Sequence, residues 1–140
     1  MTFPQAVNSA YLNYFNYKTR ASRSEYWWFQ LYTIIALIVL SFLGDNLITQ
    51  FLGFIIIGLP SWSLTVRRLH DVGRSAWWFF AGYILGFVLG YFVAEVIGSD
   101  EIGQMILIGL CTIGVIIGFI SFIFCFFKSA PDNQWGPKPV

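Results

Sequence analysis

The sequence predicts an all-α membrane protein: four transmembrane helices preceded by a short interfacial amphipathic helix, with both termini in the cytoplasm. Three observations predict it. Of the 140 residues, 57% are hydrophobic and 11% charged, and the mean hydropathy is +0.68, whereas a soluble domain carries about 25% charged residues. The eight Lys and Arg residues fall into three short patches: Lys18, Arg20 and Arg23; Arg67, Arg68 and Arg74; Lys128 and Lys138. Between the patches, stretches 26–65 and 76–127 contain neither Lys nor Arg. Each is long enough to cross a bilayer twice and has a polar break near its middle, at Asp45 in the first and at Glu95, Asp100 and Glu101 in the second. Basic residues gather on the cytoplasmic side of membrane spans, so this alternation sets the orientation.

Residues 4–17 read as the interfacial helix. Pro4 suits a first helical turn, and Phe3, Val7, Tyr11 and Tyr14 recur at spacings that put them on one face. Such a helix lies in the headgroup layer or packs on the cytoplasmic ends of its neighbours, and its placement is open at this point. The first span covers about 23–43, opened by a capping box of Ser22 and Glu25 and anchored by Trp27 and Trp28. Gly44-Asp45-Asn46 supplies a tight outer turn. The second span covers about 47–71, with Pro60 expected to kink it and Ser61, Ser63 and Thr65 placed to satisfy the carbonyls that the proline frees. Gly73 suits the end of that helix and Ser75 the cap of the next.

The third span covers about 76–97 and carries Gly82, Gly86 and Gly90 at four-residue spacing. The fourth covers about 103–127, with Cys111, Gly114, Gly118, Ser121 and Cys125 on one stripe. Small residues in such register let helix backbones approach closely, either within one subunit or across a homo-oligomer seam. Cys111 and Cys125 are 14 residues apart, roughly 21 Å along a helix, so they do not bridge each other. The tail 128–140 is too rich in proline for a helix, and Trp135-Gly136-Pro137 suggests a turn that docks an aromatic ring. Residues 1–140 thus form a single membrane domain. The polar, aromatic first 22 residues are not expected to make a cleavable leader.

Chemistry concentrates in Arg67-Arg68-Leu69-His70-Asp71-Val72-Gly73-Arg74. If helical geometry persists, Arg67, His70, Asp71 and Arg74 share one face, with Arg67 able to pair with Asp71 and Arg68 pointing elsewhere. Glu25 lies at a similar depth and is a partner for Arg68 or Arg74. Two readings of this cluster stand. One is architectural: arginines flank a span and carboxylates neutralise them. In the other, the cluster binds an anion, either a phospholipid headgroup or a partner protein. His70 is the one histidine, without Cys or carboxylates at ligand spacing, so neither a metal nor a cofactor is expected. With a net charge of +1 and basic residues flanking the spans, a nucleic-acid partner is not expected either.

Ser22-Arg23-Ser24-Glu25-Tyr26-Trp27-Trp28-Phe29, the run from Arg67 to Trp78, and Asn133-Gln134-Trp135-Gly136-Pro137-Lys138-Pro139 together resemble the bacterial domain of unknown function 805 family, which includes the YhaH-like inner-membrane proteins. Ala76 stands where that family often has Gly, and Trp135 where Tyr or Phe is common. The resemblance implies a small multi-pass protein of the inner (plasma) membrane and brings no established activity. All three motifs fall on the cytoplasmic side of the expected topology, so a shared site becomes the natural reading. The expected function is non-enzymatic: an integral membrane protein with a cytoplasmic Arg/His/Asp cluster. The alternatives are a small transporter or channel subunit with a path near Glu95 and, last, a lipid-headgroup enzyme using His70 and Asp71.

Overall fold

The computed structural model of the chain describes residues 1–44, 46–89, 91–92, 95 and 101–139. Among them every regular element is helical. The chain divides into two units, Met1–Gly73 with Lys128–Val140, and Arg74–Phe127.

The first unit opens with α1 (Phe3–Leu12). Thr2 and Gln5 form its capping box, the Thr2 amide donating to Gln5 Oε1 at 2.9 Å. The helix stops at Leu12 rather than extending to 17, because the asparagines that follow compete for backbone groups. Asn13 Nδ2 donates to Ser9 O at 2.9 Å, while the Asn13 and Asn16 carbonyls accept from the Ser63 hydroxyl at 2.8 and 2.9 Å. Ala6 and Ala10 are fully buried, and their small side chains let α1 lie close to α2 (Arg23–Ser41). The partly exposed aromatic flank then packs edge-on, Phe3 against Trp28 and Tyr11 against Phe29.

Ser22 Oγ caps α2 by accepting from the Glu25 amide at 3.2 Å. The reciprocal half of the expected capping box gives way to a buried pairing, since Glu25 Oε1 accepts from Ser9 Oγ at 2.9 Å and Arg67 Nη1 at 3.0 Å. After Ser41 the chain turns through Gly44, whose φ of +88° favours glycine. The outer face of α2 is apolar and open: Ile34, Ile35, Leu37, Ile38 and Val39 are 48–57% exposed. A patch that continuous fits a lipid-facing surface rather than a water-facing one.

α3 (Leu47–Gly53), a π-helical turn (Phe54–Gly58) and α4 (Leu59–Asp71) form one continuous helix, Leu47–Asp71. Pro60 explains its irregularity. With no N–H, Pro60 leaves the Ile56 carbonyl without its usual partner. One residue earlier, the Leu59 amide reaches back to Phe54 O, the π pattern, and so releases the Ile55 carbonyl as well. The expected donors Ser61, Ser63 and Thr65 do not serve these groups: Thr65 bonds Ser61 O, Ser61 faces Thr33, and Ser63 holds the end of α1. Tyr11 and Tyr14 supply the hydroxyls instead. Tyr11 Oη donates to Ile56 O at 3.0 Å and lies 2.8 Å from Tyr32 Oη, and Tyr14 Oη donates to Ile55 O. Burial, with the Tyr32 hydrogen bond second, holds the Tyr11 phenol protonated well above the ordinary tyrosine range. The N-terminal helix is therefore stitched to the proline break of α4. We expect Tyr11→Phe to lower unfolding stability by about 1 kcal/mol, the net contribution of a typical hydrogen bond. Thermal unfolding of the detergent-solubilised protein measures it, and an unchanged midpoint would mean that Ile56 O finds another donor.

Gly73, at φ +76°, ends α4, its amide bonding His70 O at 3.1 Å.

The second unit contains α5 (Trp77–Tyr83), a π-helical stretch (Ile84–Leu89) and α6 (Glu101–Phe124). Ser75 Oγ accepts from the Trp77 amide at 3.2 Å. α5 and α6 meet through glycine: a Cβ on Gly82 would sit 3.1 Å from the Gly118 amide nitrogen, and one on Gly114 2.4 Å from Gly86 Cα. Gly90 lies outside the described residues, as do Asp45 and Asp100.

Two helices, Leu47–Asp71 and α6, are long and apolar enough to cross a membrane. The apolar window of α6 has a mean hydropathy of 2.7 yet is only 11% buried. A helix so apolar all round belongs in a core or in lipid. Of the other two expected spans, only the first is described in full. The first is helical over the 19 residues Arg23–Ser41, and the third over Trp77–Tyr83 and Ile84–Leu89, its remainder falling largely outside the described residues.

Candidate functional site

The C-terminal turn of α4, the segment leading into α2 and the C-terminal tail converge on a buried cluster of charge. Arg67, Arg68, His70 and Asp71 come from α4, Glu25 from the first turn of α2, and Arg20 from the segment before it. Arg68 and Asp71 are fully buried, and Arg20, Glu25, Arg67 and His70 are 2–7% exposed.

Asp71 is the hub. Its Oδ1 accepts from Arg20 Nε at 3.1 Å and Nη2 at 2.9 Å, two donors on one oxygen. Its Oδ2 accepts from Arg68 Nη1 and from Ser129 Oγ, the latter at 2.6 Å. The tail completes the shell. Arg20 donates to the carbonyls of Ala130, Pro131 and Gly136 at 2.6–3.0 Å, and the Ala130 amide returns a bond to Asp71 O at 2.8 Å. Asn133 Nδ2 donates to His70 O at 3.0 Å. Gly136, at φ +115°, closes a turn with Asn133 that lays Trp135 flat on the His70 ring, 4.4 Å between centroids and 6° between planes. Beside this hub, Arg67 Nη1 holds Glu25 Oε1.

Three expectations need correction. Arg67 does not pair with Asp71; Arg67 pairs with Glu25, and Asp71 takes Arg68 and Arg20. Arg68 does not point away from the cluster. The helical face drawn through to Arg74 ends at Asp71, because the positive φ of Gly73 breaks the helix first. Arg74 belongs to the second unit, where it is exposed and lies over the Phe124 ring at 5.0 Å. Arg20 was missed as a site residue. In the sequence it reads as one more membrane-flanking charge, and no local spacing ties it to Asp71, 51 positions away.

Both Asp71 oxygens are committed to guanidinium and hydroxyl donors, which leaves no lone pair suited to a general base. Among the described residues no group of three or more His, Cys, Asp or Glu side chains could hold a metal ion. The second unit carries an apolar groove of about 540 Å3 along its glycines, lined also by Phe79, Tyr83, Leu107 and the Cys111 thiol.

The stretch of chain that carries the cluster matches a known family. The family model described as "Protein of unknown function (DUF805)" matches residues 14–137, nearly the whole chain and all of the cluster. The chain belongs to the DUF805 family. Among DUF805 relatives, "Inner membrane protein YhaH" of Escherichia coli (strain K12) is 42% identical over 76 residues, covering 47% of this chain and 62% of that protein. "Uncharacterized protein YiiR" of the same strain is 39% identical over 70 residues, covering 47% of this chain and 48% of that protein. The chain thus spans about half to three fifths of the length of these relatives, 48% and 62%. No solved structure matches it significantly. DUF805 membership, inner-membrane relatives and membrane-length apolar helices agree on a membrane protein and assign it no activity.

Proposed function

We propose that this chain is a non-enzymatic, multi-pass inner-membrane protein. It has four spans and both termini in the cytoplasm, and its cytoplasmic helix ends are locked by the Arg20–Asp71–Arg68 and Arg67–Glu25 clasp. The observation that carries this reading is the convergence of the start of α2, the end of α4 and the C-terminal tail on Asp71. A segment before the first span, the end of the second and the tail after the fourth share one end only if an even number of crossings separates them. The basic patches carry the same message, since Arg20, Arg67 and Arg68 meet there and Lys128 begins the tail. In this reading α2, the Leu47–Asp71 helix, the α5 segment and α6 are the four crossings. The apolar outer surfaces of α2 and α6 face acyl chains.

The buried ions are affordable because each is multiply bonded. Charges withdrawn from water cost several kcal/mol each unless geometry and hydrogen bonds compensate, so such a cluster specifies an arrangement more than it adds net stability. Reporter fusions test the topology. We expect alkaline phosphatase to be active when joined after Gly44, and green fluorescent protein to fluoresce when joined after Gly73 or at the C-terminus. Phosphatase activity at the Gly73 junction would overturn the arrangement.

A further inference from the structure

Among the described residues the clasp is not electrically balanced. Its buried groups are three guanidiniums, Arg20, Arg67 and Arg68, against two carboxylates, Glu25 and Asp71, which leaves one positive charge. The helix ends do not compensate it. The α2 N-terminus and the α4 C-terminus both lie at the clasp, and their opposite partial charges of about half a unit each cancel. An uncompensated buried charge is among the most destabilising features a fold can carry.

One side chain shows where the missing negative charge belongs. Arg20 spends all three of its nitrogens on Asp71 and the tail carbonyls. Arg67 spends only Nη1, on Glu25. Its Nε and Nη2 are buried and, among the described residues, meet no acceptor. These two N–H groups form the side-on edge of the guanidinium, the edge that grips two oxygens of a planar or tetrahedral anion at once. Glu25 keeps 5% exposure and Arg67 2%.

From this geometry we propose that the Nε–Nη2 edge of Arg67 binds a phosphate group through two of its oxygens, neutralising the clasp. The inference rests on the clasp reading above and gives it a ligand. Two sources offer this chemistry, the headgroup of an anionic phospholipid in the adjacent leaflet and a soluble phosphate. Arg67 is close to the end of the Leu47–Asp71 helix, where headgroups lie if that helix crosses the bilayer.

The decisive variant is Arg67→Lys. It keeps the charge and a donor for Glu25 but lacks the two-pronged edge. The full chain is placed in nanodiscs of phosphatidylglycerol or of phosphatidylcholine, with and without inorganic phosphate, and read by native mass spectrometry and thermal unfolding. We expect the wild type to retain phosphatidylglycerol over phosphatidylcholine and to unfold at a higher temperature with it. Arg67→Lys should weaken retention by about tenfold or more, as a bidentate charge-assisted contact becomes a point charge. Competition by inorganic phosphate would assign the site to a soluble phosphate, and its absence to the lipid. Equal retention by wild type and variant, or no retention and no stabilisation of the wild type by either probe, would overturn the proposal. The wild-type stabilisation is read even if the variant does not fold. The clasp itself fails separately, through the Asp71 series described below.

Discussion

Asp71→Ala should be the most damaging single substitution in the first unit. The carboxylate it removes is fully buried and accepts from Arg20 twice, from Arg68 and from Ser129. Two guanidiniums would remain, buried, without their anion. Removing one partner of a buried ion pair costs about 3–5 kcal/mol, a large share of the roughly 5–15 kcal/mol that holds a typical domain. The expected result is a protein that expresses poorly or unfolds at a markedly lower temperature in detergent, with a tail newly open to proteolysis near Ser129. Combining Asp71→Asn with Arg20→Met and Arg68→Met tests the electrostatic origin. Replacing a whole buried ionic group by apolar side chains is often neutral, so the triple variant should recover part of what Asp71→Asn alone loses. If Asp71→Ala leaves the unfolding midpoint unchanged, the clasp does not hold the unit together.

What the sequence disclosed and what it hid separate along a physical line. Properties set by composition and local spacing were legible: the helical class, the helix break at Gly73, the cap at Ser22, and the tail turn that docks Trp135. Each depends on residues a few positions apart. Glu25, Arg67, Arg68, His70 and Asp71 stood out too, because charge is scarce in this chain, but Arg20 did not, and Arg74 was named with them although it lies in the second unit. The pairing was not legible. Arg20 and Asp71 are 51 residues apart, and Ser129 and Asp71 58 apart, so no periodicity joins them. Helical spacing even pointed the wrong way. It paired Arg67 with Asp71 across one turn, whereas the tertiary position of Glu25 draws Arg67 to the other side. The remedy for Pro60 was hidden for the same reason. Local rules nominate Ser61, Ser63 or Thr65, yet the freed carbonyls are met by tyrosines more than 40 residues upstream. A long-range donor leaves no trace in the spacing of the acceptor's neighbours.

In the second unit the largest effect should come from one methyl group. Gly114→Ala would place a Cβ 2.4 Å from Gly86 Cα, 2.5 Å from its amide nitrogen and 2.9 Å from Gly82 O. All three are backbone atoms of the facing segment, so no side-chain rotation relieves the clash, and α5 and α6 must separate. The expected loss is on the order of 3 kcal/mol, at the upper end of what overpacking costs. Close backbone approach at small residues is a main source of helix association in lipid, where no hydrophobic drive between helices exists. Gly118→Ala is the informative companion. Its added Cβ meets nothing within 4 Å, and alanine in a helix is favoured over glycine by up to about 1 kcal/mol. The two substitutions are chemically identical and lie one helical turn apart on α6, but they should shift the unfolding midpoint in opposite directions. A general intolerance of α6 to bulk would move both down. Opposite signs would locate the contact at Gly114 and show that the glycine register, rather than the number of glycines, brings these helices together.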